Sequence, residues 1–220
     1  MGATMQPPSP KQRNFLRACL DRYAKLPDDV EDYLANRGIS PVTAEKWKLG
    51  YVGNPMDGHE GYAGRLAIPY RTASGPVAIS FRCLERHDCK EVDKATGWHK
   101  KYLAEEGLYR PLFNAHAFTK PSPVIYCVEG ELDAVVASSL GYPTVGYPGA
   151  GRWEKHWDYL FDGFEHVVAV CDGDDAGRGW GKKFRSHVRN AVVKVLPEHQ
   201  DVSSLVSEQG PEALDMYMVV

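Results

Sequence analysis

The chain has too few cysteines, too irregularly spaced, to be a disulfide scaffold. It holds five, Cys19, Cys83, Cys89, Cys127 and Cys171. The number is odd and no paired framework emerges, as expected of a protein kept reduced in the cytoplasm. It lacks any apolar run long enough to cross a bilayer, and its Pro-rich first ten residues lack the charged and apolar parts of a signal peptide. A soluble, cytoplasmic protein with no membrane partner is expected. Also missing are Gly-x-Gly-x-x-Gly and Gly-x-Ser-x-Gly, which removes the main support for a dinucleotide fold and for a serine-elbow hydrolase. A P-loop fails too: counting back from Gly181-Lys182, its first glycine would fall on Ala176 and its hydroxyl residue on Lys183. An EF-hand starting at Asp172 would need a ligand at Ala176 and a bidentate glutamate at Lys183.

The chain has no excess of positive charge either, since its net charge is −3. That average hides an asymmetry about the Pro-Ser-Pro break after Lys120. Residues 1–120 carry 18 basic against 14 acidic side chains, net +4, whereas residues 121–220 carry 8 against 15, net −7. A basic front can track phosphates while an acidic back collects divalent cations. At 220 residues and 43% hydrophobic content, the chain can bury a core of one large or two small domains. The composition break sets the expected boundary: 11–120 as an α+β domain and 121–220 as a second domain.

In the first part, helical spacing covers Lys11 to Lys25 and Asp28 to Arg37, and Ser40-Pro41 reads as an N-cap and first helical residue of a helix over Val42 to Lys48. Arg65-Leu-Ala-Ile-Pro-Tyr-Arg and the apolar run from Val77 flank Ala73-Ser-Gly-Pro and predict a hairpin, with Lys100-Lys-Tyr-Leu a further strand. The charged, aperiodic stretch from Glu85 to His99 predicts a loop. Cys83 just ahead of it and His87, Cys89 and His99 within it could chelate zinc, but the spacing lacks the Cys-x-x-Cys pairs of common zinc sites.

After Lys120 strands and helices alternate. Val124 to Val128, Thr144 to Gly146, Val167 to Cys171 and Ala191 to Leu196 predict strands. Helices are predicted over Glu131 to Leu140, Trp153 to Leu160, Asp175 to Arg189 and the tail. This is an α/β pattern with a parallel sheet and helices on both faces. Trp153, Trp157 and Trp180 fall at helical spacings that suit core packing better than base stacking. Ligands of such sheets sit beyond the carboxyl ends of the strands. Three of those ends carry acids: Glu129-Gly-Glu-Leu-Asp133, Asp172-Gly-Asp174-Asp, and the approach to Asp201. Asp-Gly-Asp alone is a common turn. Three acidic strand ends in order are different, because carboxylates crowded on one rim repel unless cations neutralise them, and Mg²⁺ prefers carboxylate oxygens, water and phosphates.

The order Glu-Gly-x-x-Asp, then Asp-x-Asp-x-x-Gly, resembles a Toprim domain, as found in primases, topoisomerases and some nucleases. Upstream, Tyr33-Leu-Ala-Asn-Arg-Gly-Ile-Ser, Leu49-Gly-Tyr, Arg65-Leu-Ala-Ile-Pro-Tyr-Arg, Phe81-Arg82 and Lys101-Tyr-Leu resemble, in the same order, segments of DnaG-type bacterial and phage primases. The collinear resemblance runs from about Asp29 to Met218 and implies a Toprim-type parallel sheet preceded by a smaller basic α+β domain.

It further implies a DNA primase that makes short RNA primers from nucleoside triphosphates on single-stranded DNA, with Mg²⁺ or Mn²⁺ held by Glu129, Asp172 and Asp174. Asp133 and Asp201 match further acidic positions of the family and complete the metal-ligand set that the resemblance implies. Where the family's third motif has a second acid, this chain has Ser203, and Glu198 is the nearby acid that could substitute. Arg37, Arg65, Arg82 and Lys101 fall on basic positions that the family uses near phosphates and template. Arg178 and Lys182 share a helix face with Arg185 and Arg189 that could meet a template backbone. The family commonly has Asn where Ala104 stands and Lys near Ala115, so nucleotide contacts here should differ. The chain has room for neither the zinc-ribbon nor the helicase-binding module of such primases, which suggests a phage-like compact form. A replicative helicase and a separate zinc-binding module are therefore expected partners. A Toprim nuclease and a non-catalytic nucleic-acid-binding adaptor are the competing expectations, and a topoisomerase would need more chain.

Overall fold

The computed structural model describes residues 6–85, 87–97, 99–105, 107–148 and 153–219. They form two compact units, one of residues 1–34 and 40–110, the other of residues 35–39 and 111–220, so the division falls ahead of the Pro-Ser-Pro break. Among the described residues no helix is long and apolar enough to cross a membrane.

The first unit begins with α1 (Pro10–Tyr23), which has a built-in start. Ser9 and Gln12 form a reciprocal capping box and Pro10 occupies a position where no backbone donor is needed. Its buried face, Leu16, Cys19 and Tyr23, packs with Val52, Ala67, Ile79 and Phe81 in one apolar cluster. After α2 (Asp28–Ala35) comes α3 (Pro41–Trp47), where Ser40 accepts from the Thr43 N–H as its sequence predicts, and Lys48 ends the helix with a left-handed backbone at φ 57°. A four-stranded antiparallel sheet follows, in order β1 (Gly50–Tyr51), β2 (Leu66–Thr72), β3 (Gly75–Arg82) and β4 (Tyr102–Ala104). The predicted hairpin is β2 and β3, whose turn ends on Gly75 at φ 113°.

Between β3 and β4 the sequence predicts a loop, but the chain forms α4 (Cys89–Thr96). Asp88 caps it through bonds from the Lys90 and Glu91 N–H groups, and Gly97 closes it at φ 77°. The helix was missed because it has no apolar stripe; none of its residues is fully buried.

The second unit holds a parallel sheet of β5 (Val124–Val128), β6 (Thr144–Gly146), β7 (His166–Cys171) and β8 (Ala191–Val195), in the order β6-β5-β7-β8. Its helices are α5 (Glu131–Ser139), α6 (Asp175–His187), α7 (Val202–Gln209) and α8 (Glu212–Met218). α5 leads from β5 outward to β6, whereas α6 leads from β7 outward in the opposite direction to β8. Right-handed crossovers in opposite directions put these helices on opposite faces. The central strands are continuous apolar runs, as burial on both sides requires. The helix predicted over Trp153 to Leu160 is a 3-10 segment, Lys155–Leu160. It belongs to an aromatic cluster in which Trp153 packs edge-on against Trp157 and Phe184, and Tyr147 lies 6.1 Å from Trp180. The three tryptophans therefore serve packing, as their spacing suggests.

Candidate active site

The strand order reverses direction between β5 and β7, and that is where an open parallel sheet leaves a crevice at its carboxyl edge. Glu129 is the first residue after β5 and Asp172 the first after β7. The Asp172 N–H donates to Glu129 Oε1 at 3.0 Å, which ties the two strand ends together. The loop after β8 is fastened to the same place: the Gly173 N–H donates to the Gln200 carbonyl at 2.8 Å, and the His199 N–H returns a bond to the Gly173 carbonyl at 3.1 Å. Acids far apart in sequence thereby share one rim.

Two glycines make the approach possible. A Cβ on Gly173 would lie 1.7 Å from the Pro197 carbonyl oxygen. One on Gly177, the first buried residue of α6, would lie 2.2 Å from the Asp172 carbonyl oxygen and 2.7 Å from Glu129 Oε1. Gly181, one turn on, sits where a Cβ would strike Cys171 Sγ at 2.6 Å, so this face of α6 lies flat on the sheet. Gly177 is the glycine that ends the Asp-x-Asp-x-x-Gly pattern, whereas Gly181 was left without a role in the sequence; its spacing of four from Gly177 on a helix leaving a strand was the available signal.

Each acid has a distinct setting. Burial, followed by the charges of Asp133, Glu129, Asp201 and Asp174, pushes the Asp172 carboxyl up to about 8. No donor among the described residues offsets that repulsion. Burial also pushes Glu129 up to about 7; Asp174 and Asp133 add to the rise, while the Asp172 N–H opposes it. Asp174 caps α6, accepting from the Gly177 N–H at 2.7 Å through one oxygen. Asp201 caps α7, accepting from the Ser204 N–H at 2.7 Å, and its other oxygen faces Arg37 at 3.7 Å. Asp133, only 8% exposed, is raised by burial and by Asp201.

The Ser203 N–H and hydroxyl both donate to Asp133 Oδ1, at 3.0 and 2.7 Å. Ser203 is fully buried. It thus holds a carboxylate in place where an acid would have added another charge, a role the sequence did not reveal. Glu198, the expected substitute, points into solvent beside His199 and is absent from the charges felt by Asp172.

The donor set is all oxygen and mutually repelling, running from buried Asp133 through half-buried Glu129 and Asp172 to exposed Asp174, which suits a hard divalent cation. The acids do not close into an all-protein cage among the described residues. Magnesium does not need one, because it keeps waters and takes substrate phosphates in its shell.

The basic residues divide three ways. Arg65 and Arg82 are 8% and 7% exposed. Arg65 Nη1 donates to the Lys100 carbonyl at 2.9 Å, and the Arg82 guanidinium lies over the Tyr102 and Tyr33 rings, 5.1 and 5.9 Å from their centroids. Lys101 is exposed, as are Arg178, Lys182 and Arg185 on α6, where Arg178 also pairs with Asp175 at 3.0 Å; Arg189, expected on the same helix face, is exposed but lies past the end of the helix at His187. Arg37 belongs to the second unit and serves Asp201.

No family model matches the chain. The Gene 57 protein of Mycobacterium phage D29 is 38% identical over 158 residues, which cover 70% of this chain and 97% of that protein. The DNA primase of Aquifex aeolicus is 26% identical over 221 residues, 84% of this chain but only 44% of that enzyme, so the chain spans less than half its length. The RNA polymerase domain of Mycobacterium tuberculosis primase DnaG superposes with a TM-score of 0.73 at 22% identity, covering 95% of this chain and 83% of that domain. The near-complete coverage of the phage protein and the superposition agree: the chain belongs to the family of the D29 Gene 57 protein and has the fold of the DnaG-type primase catalytic core.

Proposed function

We propose that the chain is a DNA primase core, a nucleotidyltransferase that joins ribonucleoside triphosphates into short RNA primers on single-stranded DNA. The observation that carries this reading is the bond from the Asp172 N–H to Glu129 Oε1, which sets two half-buried carboxylates against each other at the switch point of a primase-type sheet. Glu129, Asp172 and Asp174 would hold Mg²⁺ or Mn²⁺, with Asp133 and Asp201 shaping the negative field around them. The chemistry such an ion would supply at these carboxylates is a lowered pKa for the primer hydroxyl and neutralisation of charge on the departing pyrophosphate.

The chain's own residues supply position and charge. Glu129 and Asp172 are kept partly dehydrated by burial, which strengthens their attraction for a cation. Asp174 is locked by the N-terminus of α6 and keeps one oxygen outside that cap. Ser203 aims Asp133 through two bonds. Arg65 and Arg82, held by a carbonyl and by aromatic rings, are rigid donors for triphosphate oxygens, while Lys101 and the α6 stripe of Arg178 and Lys182 offer exposed charge for the template backbone.

The test is primer synthesis on single-stranded DNA with labelled ribonucleotides and Mn²⁺ or Mg²⁺. Short RNA should appear and should vanish in Glu129→Gln and Asp172→Asn with the circular dichroism spectrum unchanged. Undiminished synthesis in those variants would refute the assignment. DNA cleavage without nucleotides would instead mark a Toprim nuclease.

A further inference from the structure

Four side chains left out of that chemistry converge on one point in the first unit. Cys83, His87, Cys89 and His99 each offer a ligand atom, and all of these atoms lie within 4.8 Å of one another. His87 Nε2 lies 3.8 Å from Cys83 Sγ, 3.4 Å from Cys89 Sγ and 2.8 Å from His99 Nε2. Tetrahedral zinc, with bonds of about 2.3 Å to sulfur and about 2.0 Å to nitrogen, sets its ligand atoms roughly 3.3–3.8 Å apart. The spacings straddle that range.

Hydrogen bonding alone accounts poorly for the arrangement. His87 Nδ1 faces Glu85 Oε2 at 3.1 Å, so that nitrogen carries the proton and Nε2 is left with one lone pair. A single lone pair cannot serve two thiols and a second imidazole, whereas a cation at their centre satisfies all four. A carboxylate behind a ligating histidine is also the usual outer partner that fixes its tautomer.

We propose that Cys83, His87, Cys89 and His99 form a structural zinc site. Two thiolates and two imidazoles are the donor set of tetrahedral zinc, and four protein ligands leave no open position for catalysis. The Cys-x3-His-x-Cys-x9-His spacing lacks a Cys-x-x-Cys knuckle because the sheet does the gathering. The Cys83 N–H donates to the Lys101 carbonyl at 2.8 Å, which brings the end of β3 beside the approach to β4 and closes the distance between Cys83 and His99. Cys89 opens α4. That eight-residue helix has no fully buried side chain, and a helix so short is unstable in water without tertiary support. Zinc supplies that support and fixes both ends of the crossover. Arg82 directly precedes the first ligand and Lys101 follows the last by two residues. The effect of zinc on those two residues rests on the proposed function; the site itself does not.

The test is the metal content of the purified full chain, followed by replacement with Co²⁺. One equivalent of zinc is expected, and cobalt should give thiolate-to-metal charge transfer and the strong visible bands of a tetrahedral ion. Both signals should be lost in the Cys83→Ser, Cys89→Ser double variant and kept in the Glu129→Gln, Asp172→Asn double variant, which loses primer synthesis. Should the cysteine variant fail to fold, chelation of the unaltered chain provides the check: proteases should then cut within residues 84–98, and added zinc should restore resistance. A chain without bound zinc overturns the proposal, as does a cobalt spectrum without thiolate bands. So does an equivalent of metal that survives loss of the thiols and disappears with the carboxylates.

Discussion

Neutralising one acid of the rim should stabilise the metal-free protein while destroying its activity, and only above neutral pH. The carboxyls of Glu129 and Asp172 sit at about 7 and about 8 in the folded chain, against ordinary values of 4.5 and 3.8. Both are raised, so folding is favoured while they are protonated. That contribution is fully present below the unfolded values near pH 4 and is lost as pH climbs through 7 and 8. A tenfold displacement of a carboxyl equilibrium is worth about 1.4 kcal/mol. The two together, displaced by roughly two to four decades each, nominally amount to several kcal/mol. The repulsion between them enters both values and both carboxyls touch solvent, which leaves about 3 kcal/mol to be recovered at pH 9 by Asp172→Asn. For a unit of this size that is a rise on the order of 10 °C in melting temperature.

The assay is thermal unfolding of magnesium-free protein between pH 5.5 and 9, followed by tryptophan fluorescence, since Trp153, Trp157 and Trp180 report on the second unit. The unaltered chain should lose stability across the window and regain it with Mg²⁺. Asp172→Asn should lose much less and ignore Mg²⁺. A flat profile for the unaltered chain, or a parallel decline in the variant, would show that the acids do not repel one another on a common rim.

Gly177→Ala places a methyl 2.2 Å from the Asp172 carbonyl oxygen and 2.7 Å from Glu129 Oε1. It should destabilise the second unit by about 1–3 kcal/mol and cut primer synthesis at least tenfold, as measured by melting and by product gels. Ser203→Ala removes the buried hydroxyl that donates to Asp133 at 2.7 Å. Urea unfolding at pH 7.5 should show a loss of about 1–3 kcal/mol, and a variant as stable as the parent would mean that Asp133 finds another donor.

Much of the second unit was legible because its signals are local. Apolar runs of five or six residues, each followed by a glycine or an acid and then a helical period, identify β5, β7 and their helices without reference to the rest of the chain. The acids at the strand ends were legible for the same reason, since parallel topology carries every such end to one edge. Arg82 was found as a basic residue but not as a rigid one. Its setting depends on Tyr33, a residue of α2 some fifty positions earlier, and no local pattern announces that pairing.

Ser203 and the cluster of Cys83, His87, Cys89 and His99 were hard to read for one cause, which is that a residue's meaning is set by a partner brought near through a sheet or a buried contact. Ser203 looks like the loss of an acid until Asp133 is seen to be buried and in need of donors. With Glu129, Asp133, Asp174 and Asp201 already adding to the charge at Asp172, and Asp201 to that at Asp133, another carboxylate beside Asp133 would deepen the repulsion, and a hydroxyl relieves it. The metal-ligand set of Cys83, His87, Cys89 and His99 likewise looks irregular along the chain. Its regularity is spatial: β3 and β4 pair through Arg82 and Tyr102, so residues just after one strand and just before the other become neighbours whatever the length between them. Short-range spacing rules find sites built on a single turn. A site built across a strand pair leaves a different trace, two ligands close to the ends of predicted neighbouring strands and the rest inside the connection. That trace was present in this sequence, and its absence of an apolar stripe was the reason to ask what else could hold α4 in place.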